Sequence, residues 1–323
     1  MRGVFLDYAS LGPSDIDITP LTEQLPGLEL FPETAPHQVT ERVSDAEVVI
    51  VNKVRLDGTM LRKAEDLRII CLAATGSDNI SLPAARELGI AVCNIRAYCT
   101  PSVIQHVFSL ILNLTNHLRE YDQLIRNKAW SSRSEFCLLD FSIRELHGKT
   151  LGIIGLGTLG AGVARVAEAF GMRVIAARRP NDPRETAPDH PVERVEFREL
   201  LGQADIVSLH CPLTDETVNL INAETLKLMR QDAILINTAR GGLIDSAALV
   251  NALRENVIGG AGIDVLRQEP PTDPDPIIDT QLPNLIVTPH IAWAAREARQ
   301  RAVDEIAANI ASFRNHERRN RVD

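Results

Sequence analysis

The sequence predicts an α/β protein built from two doubly wound, parallel-sheet domains. Three observations carry that reading. Short apolar runs of strand length alternate with amphipathic helical patterns from residue 1 to about 100. A second alternation of the same kind occupies residues 151–287. Between them, after Thr100-Pro101, lies one long helical pattern over residues 102–127. A chain of 323 residues has room for two such domains.

In the first domain, residues 3–7, 28–31, 47–51, 67–73 and 90–93 read as strands. Helical patterns fall at residues 39–44, 59–64 and 82–88; the last has Ser81 before it, Pro83 in its first turn and Gly89 as its stop. The long helical pattern carries Val103, Val107, Leu110, Leu114 and Leu118 on one face, which suits a helix between domains or against a partner subunit. Residues 131–148 are polar and irregular around the apolar patch 136–139, so they read as a loop or arm. In the second domain the strand signals are residues 151–154, 173–177, 205–209, 233–237, 261–265 and 285–287. Helices are expected at 158–170, 223–229 and 246–255, the last capped by Asp245. A final helical stretch, residues 294–313, has no strand after it and leaves open which domain it packs on.

Composition excludes several classes. The chain is 45% hydrophobic and 24% charged, ordinary for a soluble globular protein. Its net charge of −9, with Arg318-Arg319-Asn320-Arg321 as the one basic run, argues against a nucleic-acid partner. The first residues read as a strand rather than a signal peptide, and no stretch approaches the ~20 apolar residues of a membrane span. Cys71, Cys93, Cys99, Cys137 and Cys211 lack paired spacing, as expected of reduced thiols in a cytoplasmic protein. No Cys or His clustering suggests a metal.

The most informative stretch runs from Thr150 to Gly160. Its apolar run is followed by Gly155, Gly157 and Gly160 in G-x-G-x-x-G, then by a helical pattern. Strand, glycine turn and helix are the context in which this fingerprint binds a dinucleotide. Gly155 makes the turn, Gly157 admits a pyrophosphate to the backbone, and Gly160 permits close packing of helix and strand. The second strand ends at Arg178-Arg179, where an acidic residue would bind the ribose hydroxyls of NAD. A guanidinium there suits a 2′-phosphate, so NADP is favoured over NAD. Solvated arginines that leave both cofactors usable are the alternative.

Three further stretches end strands on the same side of the second sheet. They are Asn237-Thr238-Ala239-Arg240-Gly241-Gly242, residues 262–271 with Asp264 and Glu269, and Thr288-Pro289-His290. Together they bring an Arg, a Glu and a His beside the cofactor crevice. In reduction of a 2-oxo acid, an arginine anchors the carboxylate and polarises the ketone. A protonated histidine is the general acid. A glutamate orients the imidazole and favours its charged form. Singly, each also reads as a surface charge, a loop acid or a capping residue. In the first domain, Thr75-Gly76-Ser77 follows the fourth strand and offers N–H groups to a carboxylate, and Lys53 follows the third. An ordinary turn and a solvated lysine are the alternatives there.

These motifs together resemble the D-isomer-specific 2-hydroxyacid dehydrogenase family along nearly the whole chain: residues 155–160, 237–242, 264–270 and 288–292. The resemblance implies a flavodoxin-like substrate domain, residues 1–101 with 293–323, and a Rossmann cofactor domain, residues 102–292. It implies Arg240, Glu269 and His290 as catalytic residues and Asp264 near the nicotinamide carboxamide. Thr75 and Gly76 would meet the substrate carboxylate through their backbone, with Lys53 and Trp293 nearby. Val103, Thr158, Leu159, His210, Cys211, Pro212, Thr217, Thr238 and Ala239 would line the cofactor, Arg178 and Arg179 its ribose end. A homodimer through the cofactor domain and the long helix is also implied.

Within the family, His290-Ile-Ala-Trp293 with its Ala-Ala-Arg-Glu continuation, Asn52-Lys53-Val54, residues 136–141 and Ser102-Val103 with Gln105-His106 resemble the glycerate dehydrogenases, or hydroxypyruvate reductases. Three departures matter. Gln105 stands where the family often has Glu, and Arg178 stands at the NAD-type Asp position. Glu269 in place of Gln argues against formate dehydrogenase. Lys53 alone makes no phosphate pocket, and no regulatory domain is expected after the last helix. The expected reaction is reduction of hydroxypyruvate, and of glyoxylate, to D-glycerate and glycolate. Alternatives are a bulkier D-2-hydroxy acid, or a cofactor-sensing scaffold of the corepressor kind.

Overall fold

The computed structural model describes residues 1–179, 192–272 and 274–323. The chain divides into two compact units, Met1–Cys99 with Trp293–Asp323, and Thr100–Ala292. The first boundary falls two residues earlier than the sequence suggests, because Thr100 and Pro101 already form the first turn of the long helix. Proline is tolerated there, where its missing N–H has no intrahelical partner to lose.

In the first unit, β1 (Gly3–Phe5), β2 (Glu29–Leu30), β3 (Val48–Val51), β4 (Ile69–Leu72) and β5 (Ala91–Cys93) form a parallel sheet in the order β2-β1-β3-β4-β5. Its helices are α1 (Thr19–Gln24), α2 (Val39–Val43), α3 (Gly58–Lys63) and α4 (Leu82–Glu87). Every residue of β3 and β4 is buried. Unbroken apolar runs are what strands covered on both faces require. The strand order reverses between β1 and β3, and in such sheets ligands bind beyond the carboxyl ends of the strands at this switch point. Asp7 follows β1 there. Its carboxylate accepts the N–H groups of Asn52 at 2.8 Å, Lys53 at 2.5 Å and Val54 at 3.1 Å, which fixes the turn bearing Lys53. Helix α1 is an addition to the sequence reading; six residues with Leu21 alone buried give too little periodicity to detect.

The second unit holds, in chain order, α5 (Thr100–Asn116), α6 (Leu118–Arg126), β6 (Thr150–Ile154), α7 (Thr158–Ala169), β7 (Arg173–Ala177), β8 (Glu193–Val195), α8 (Phe197–Gln203), β9 (Ile206–Leu209), α9 (Ala223–Leu226), β10 (Ile234–Asn237), α10 (Ser246–Arg254), β11 (Gly260–Ile263) and β12 (Leu285–Val287). All seven strands are parallel, in the order β12-β11-β10-β9-β6-β7-β8. This is the Rossmann order with one further strand, and its switch point lies between β6 and β9. Leu200, Val207, Leu209, Leu235, Leu249 and Ile263 belong to its core.

Two expectations need correction here. The single helix expected over residues 102–127 is two helices, because His117 takes a left-handed conformation, φ +52°, between them. Its ring stacks on Phe141, 5.4 Å away, so a contact from the irregular arm accompanies the break. Strand β8 and helix α8 also lie where no element was expected. Of the three residues in β8 only Val195 is buried, so the strand leaves no alternating pattern in the sequence.

The last helix, α11 (Arg296–Arg314), belongs to the first unit. Its Ala302, Val303, Ile306 and Ile310 are buried against Phe5, Ile69 and Cys71. Residues beyond it run along β5: Val322 N–H donates to Val92 O at 2.9 Å, and Asp323 accepts Val92 N–H at 2.9 Å. Among the described residues, no helix is long and apolar enough to cross a membrane, and no three His, Cys, Asp or Glu side chains gather as metal ligands.

Candidate active site

The site in the second unit begins at the glycine turn between β6 and α7. Gly155 has φ +99°, and a Cβ there would lie 2.5 Å from the backbone nitrogen of Cys211. The turn therefore abuts the His210-Cys211 backbone at the end of β9, across the switch point. A Cβ on Gly160 would lie 2.3 Å from Gly155 O, so only glycine lets α7 approach the end of β6 this closely. Gly157 is the N-cap of α7, and a Cβ there would meet nothing within 4 Å. Open space above a helix N-terminus is the setting for an anionic pyrophosphate, next to the exposed Thr158 and the half-buried Leu159.

His210 lies beside this turn, its Nε2 2.8 Å from Ser208 Oγ. Desolvation pushes its imidazole down to about 4, so the ring is neutral. Thr217 caps the following turn: its hydroxyl donates to Pro212 O at 2.8 Å and accepts Thr214 N–H at 2.7 Å. Val103 is buried in α5. At the end of β7, Arg178 Nη1 lies 3.2 Å from Glu196 Oε1, and both side chains are exposed. Sequence reasoning found no acid at this edge, because Glu196 arrives from β8, which it missed.

The buried amide of Asn237 shapes the next loop. It donates to Arg240 O at 2.9 Å and accepts Ala239 N–H at 3.0 Å, closing a turn that leaves Arg240 exposed. Within that turn, Thr238 Oγ1 is a buried hydroxyl with no hydrogen-bond partner among the described residues. A Cβ on Gly241 would lie 1.9 Å from the Leu266 carbonyl carbon. The Arg240 turn is thus pressed against the loop that carries Glu269, a contact that spacing alone does not reveal.

Glu269 uses both carboxylate oxygens. Oε1 accepts Leu266 N–H at 2.7 Å, and Oε2 lies 2.5 Å from His290 Nδ1. His290 has φ +53° and donates its N–H to Asp264 O at 2.8 Å. The Asp264 side chain is fully buried. It accepts Thr288 Oγ1 at 2.5 Å, Ile291 N–H at 3.0 Å and Ala292 N–H at 2.9 Å. Desolvation pushes its carboxyl up, but hydrogen bonds from His106, Thr288, Ala292 and Ile291 outweigh this and hold it below the usual value. The structure therefore puts the Asp264 carboxylate inside the loop that presents His290.

The remaining expected residues belong to the first unit. Lys53 and Thr75 are exposed at the carboxyl ends of β3 and β4. Thr75 is held by its hydroxyl, which donates to Ile95 O at 2.9 Å, and by its carbonyl, which accepts Asn94 Nδ2 at 2.7 Å. Gly76 follows, half-buried. The Trp293 ring lies 6.4 Å from that of Tyr98.

The Gly155–Gly160 cradle and the orphaned Thr238 hydroxyl fit a nicotinamide dinucleotide, and the same unit carries a histidine paired with a glutamate. Comparison with known proteins agrees. Residues 108–292 match the NAD-binding domain of the D-isomer-specific 2-hydroxyacid dehydrogenases, and the chain belongs to that family. A glycerate dehydrogenase from Methylorubrum extorquens is 44% identical over 278 residues, covering 86% of this chain and 86% of that one. A hydroxypyruvate reductase from Blautia hydrogenotrophica is 34% identical over 97% of both chains. Among solved structures, an acyclic imino acid reductase in complex with NADPH and D-arginine superimposes over the whole of both chains, with TM-score 0.87 and 29% identity. The protein is a 2-hydroxyacid dehydrogenase that uses a nicotinamide cofactor.

Proposed function

We propose that this enzyme reduces hydroxypyruvate to D-glycerate, and glyoxylate to glycolate, with Arg240, Glu269 and His290 as its catalytic residues. The observation that carries the reading is the 2.5 Å contact between His290 Nδ1 and Glu269 Oε2. A carboxylate on Nδ1 fixes the ring and makes Nε2 the atom that exchanges a proton with substrate. A nicotinamide dinucleotide held at the Gly155–Gly160 cradle would supply the hydride for C2. As charge grows on the ketone oxygen, His290 Nε2–H gives it a proton, and Glu269 stabilises the imidazolium beforehand. Arg240 polarises the carbonyl. In oxidation the neutral Nε2 takes the hydroxyl proton instead. The first unit serves as substrate domain: among the described residues the N–H groups of Thr75 and Gly76 donate to no other group, which suits a carboxylate. Lys53 and Trp293 act as further substrate residues. The names of the two relatives support hydroxypyruvate as the 2-oxo acid.

NADPH is the preferred cofactor in this reading, with Arg178 and Arg179 on its 2′-phosphate. The exposed Arg178–Glu196 pair is of the kind worth about 0–1 kcal/mol, little against a dianionic phosphate. The NADPH bound by the imino acid reductase supports the same choice. The enzyme works as a homodimer in the cytoplasm. Leu118, Ile125, Trp130, Phe136, Leu139 and Ile143 are all exposed within one 26-residue stretch of the second unit, as an interface with a second copy requires. The five cysteines are free thiols, as in a reducing compartment.

Initial rates with hydroxypyruvate, glyoxylate, pyruvate and a bulky 2-oxo acid, each with NADPH and NADH, test the assignment. The highest kcat/KM is expected for hydroxypyruvate with NADPH. A best rate with the bulky acid would overturn the substrate, and unchanged cofactor selectivity in Arg178→Asp would remove that arginine from the phosphate site.

A further inference from the structure

His290 holds φ +53°, a left-handed conformation that disfavours a non-glycine residue and must be imposed by its surroundings. Asp264 imposes it. Its carbonyl accepts His290 N–H, and its carboxylate grips Thr288 on one side of the histidine and Ile291 and Ala292 on the other. That carboxylate has one more neighbour. His106 Nε2 lies 3.4 Å from Asp264 Oδ1 and 2.9 Å from Thr288 Oγ1. The Thr288 hydroxyl has a single proton, committed to the ionised Asp264 at 2.5 Å, so toward His106 it can only accept. His106 Nε2–H is therefore the donor. The direction of the whole relay follows, from His106 through Thr288 to Asp264.

His106 belongs to α5, one turn after Ser102, and the spacing puts both on one face of that helix. Ser102 Oγ donates to Ala292 O at 2.6 Å. One helical face thus holds both ends of the segment that presents His290. Neither residue is close in sequence to the loop it holds.

We propose that His106 is a positioning residue for His290: by donating to Thr288 and Asp264 it keeps the 288–292 loop in the one geometry that aims the catalytic imidazole. The proposal rests on the reading of His290 as the acid–base group. His106→Leu removes the donor, whereas His106→Gln offers an amide N–H in the place of Nε2–H.

The test measures steady-state reduction of hydroxypyruvate, and amide hydrogen exchange at Ile291 and Ala292 against the buried strand amide of Ile153, in the full chain with saturating cofactor. In His106→Leu, kcat should fall by about ten-fold or more with KM little changed. Exchange at Ile291 and Ala292 should rise by about ten-fold while Ile153 stays protected. His106→Gln should restore most of both. Should His106→Leu not fold, Thr288→Val removes the relay hydroxyl while keeping the side-chain shape, and the same two changes are expected. Unchanged kcat and exchange in the Leu or Val variant would overturn the proposal. So would a Gln variant as impaired as Leu, or exchange that rises equally at Ile153. An unaltered chain inactive on every 2-oxo acid would instead sink the functional reading, and the exchange data would still decide the role of His106.

Discussion

The proposed reaction makes two demands of His290, a fixed ring and an exchangeable proton. Glu269 on Nδ1 supplies the first and leaves Nε2 for the second. His290→Gln keeps a polar side chain but cannot carry a proton between states. Its kcat is expected to fall by about 10²–10⁴ while the cofactor Kd, read by fluorescence titration, is retained. Near-normal turnover would exclude the assignment. His210 gives a prediction of another kind. Desolvation holds it at about 4, whereas a histidine in the unfolded chain titrates at about 6.5. Between those values the unfolded state binds the extra proton, so this residue's contribution to stability is lost as pH falls from about 6.5 toward 4. Urea midpoints at pH 7.5 and pH 5 should differ less in His210→Asn than in the natural chain; an equal difference would acquit His210.

Among the elements, the turn from β6 into α7 separates two roles of glycine by the space each leaves. At Gly160 a methyl group would strike Gly155 O, and at Gly157 it would meet only open space. Gly160→Ala should therefore lose about 1–3 kcal/mol of stability as α7 is pushed from the sheet. Gly157→Ala should keep its melting temperature and lose dinucleotide affinity, because the new methyl occupies the approach of the pyrophosphate. Calorimetric melting together with cofactor titration distinguishes the two, and a Gly157→Ala variant that binds normally would move the phosphates elsewhere. Helix α3 offers a plainer case: Asp57 accepts the N–H groups of Thr59 and Met60 at 2.8 and 3.0 Å. Asp57→Ala should cost about 0.5–2 kcal/mol, measured by denaturant unfolding.

At the scale of the molecule, the exposed apolar arm is the feature a single chain does not use. Phe136 and Leu139 are 93% and 79% exposed, more than any other large apolar residue described. In sedimentation velocity, Phe136→Asp with Leu139→Asp should convert a dimer to a monomer; a monomeric natural chain would end the proposal. Much of the architecture was legible beforehand. Parallel strands buried on both faces must be apolar throughout, and β3, β4 and β9 stood out for that reason. Strand β8 did not, since one buried residue in three makes no pattern. The break at His117 was hidden too, because an apolar face continues past it to Leu118 while the conformation changes at a single residue.

The sequence by itself determined the class of fold, the glycine cradle and the candidates Arg240, Glu269 and His290. All of these are written in local spacing: a strand's apolar run, glycines at fixed intervals, a residue placed just past a strand. Only the tertiary structure decided which groups meet. His106 and Thr288 are 182 residues apart, Ser102 and Ala292 190 apart, and no periodicity records such a pair. At Gly241 the Leu266 backbone fills the place of a side chain, a closeness that spacing does not record. Glu196 meets Arg178 because β8, which leaves no pattern in the sequence, ends at the same edge of the sheet. Periodicity reports the face a residue buries; its partner is chosen by how the sheet order folds distant segments together.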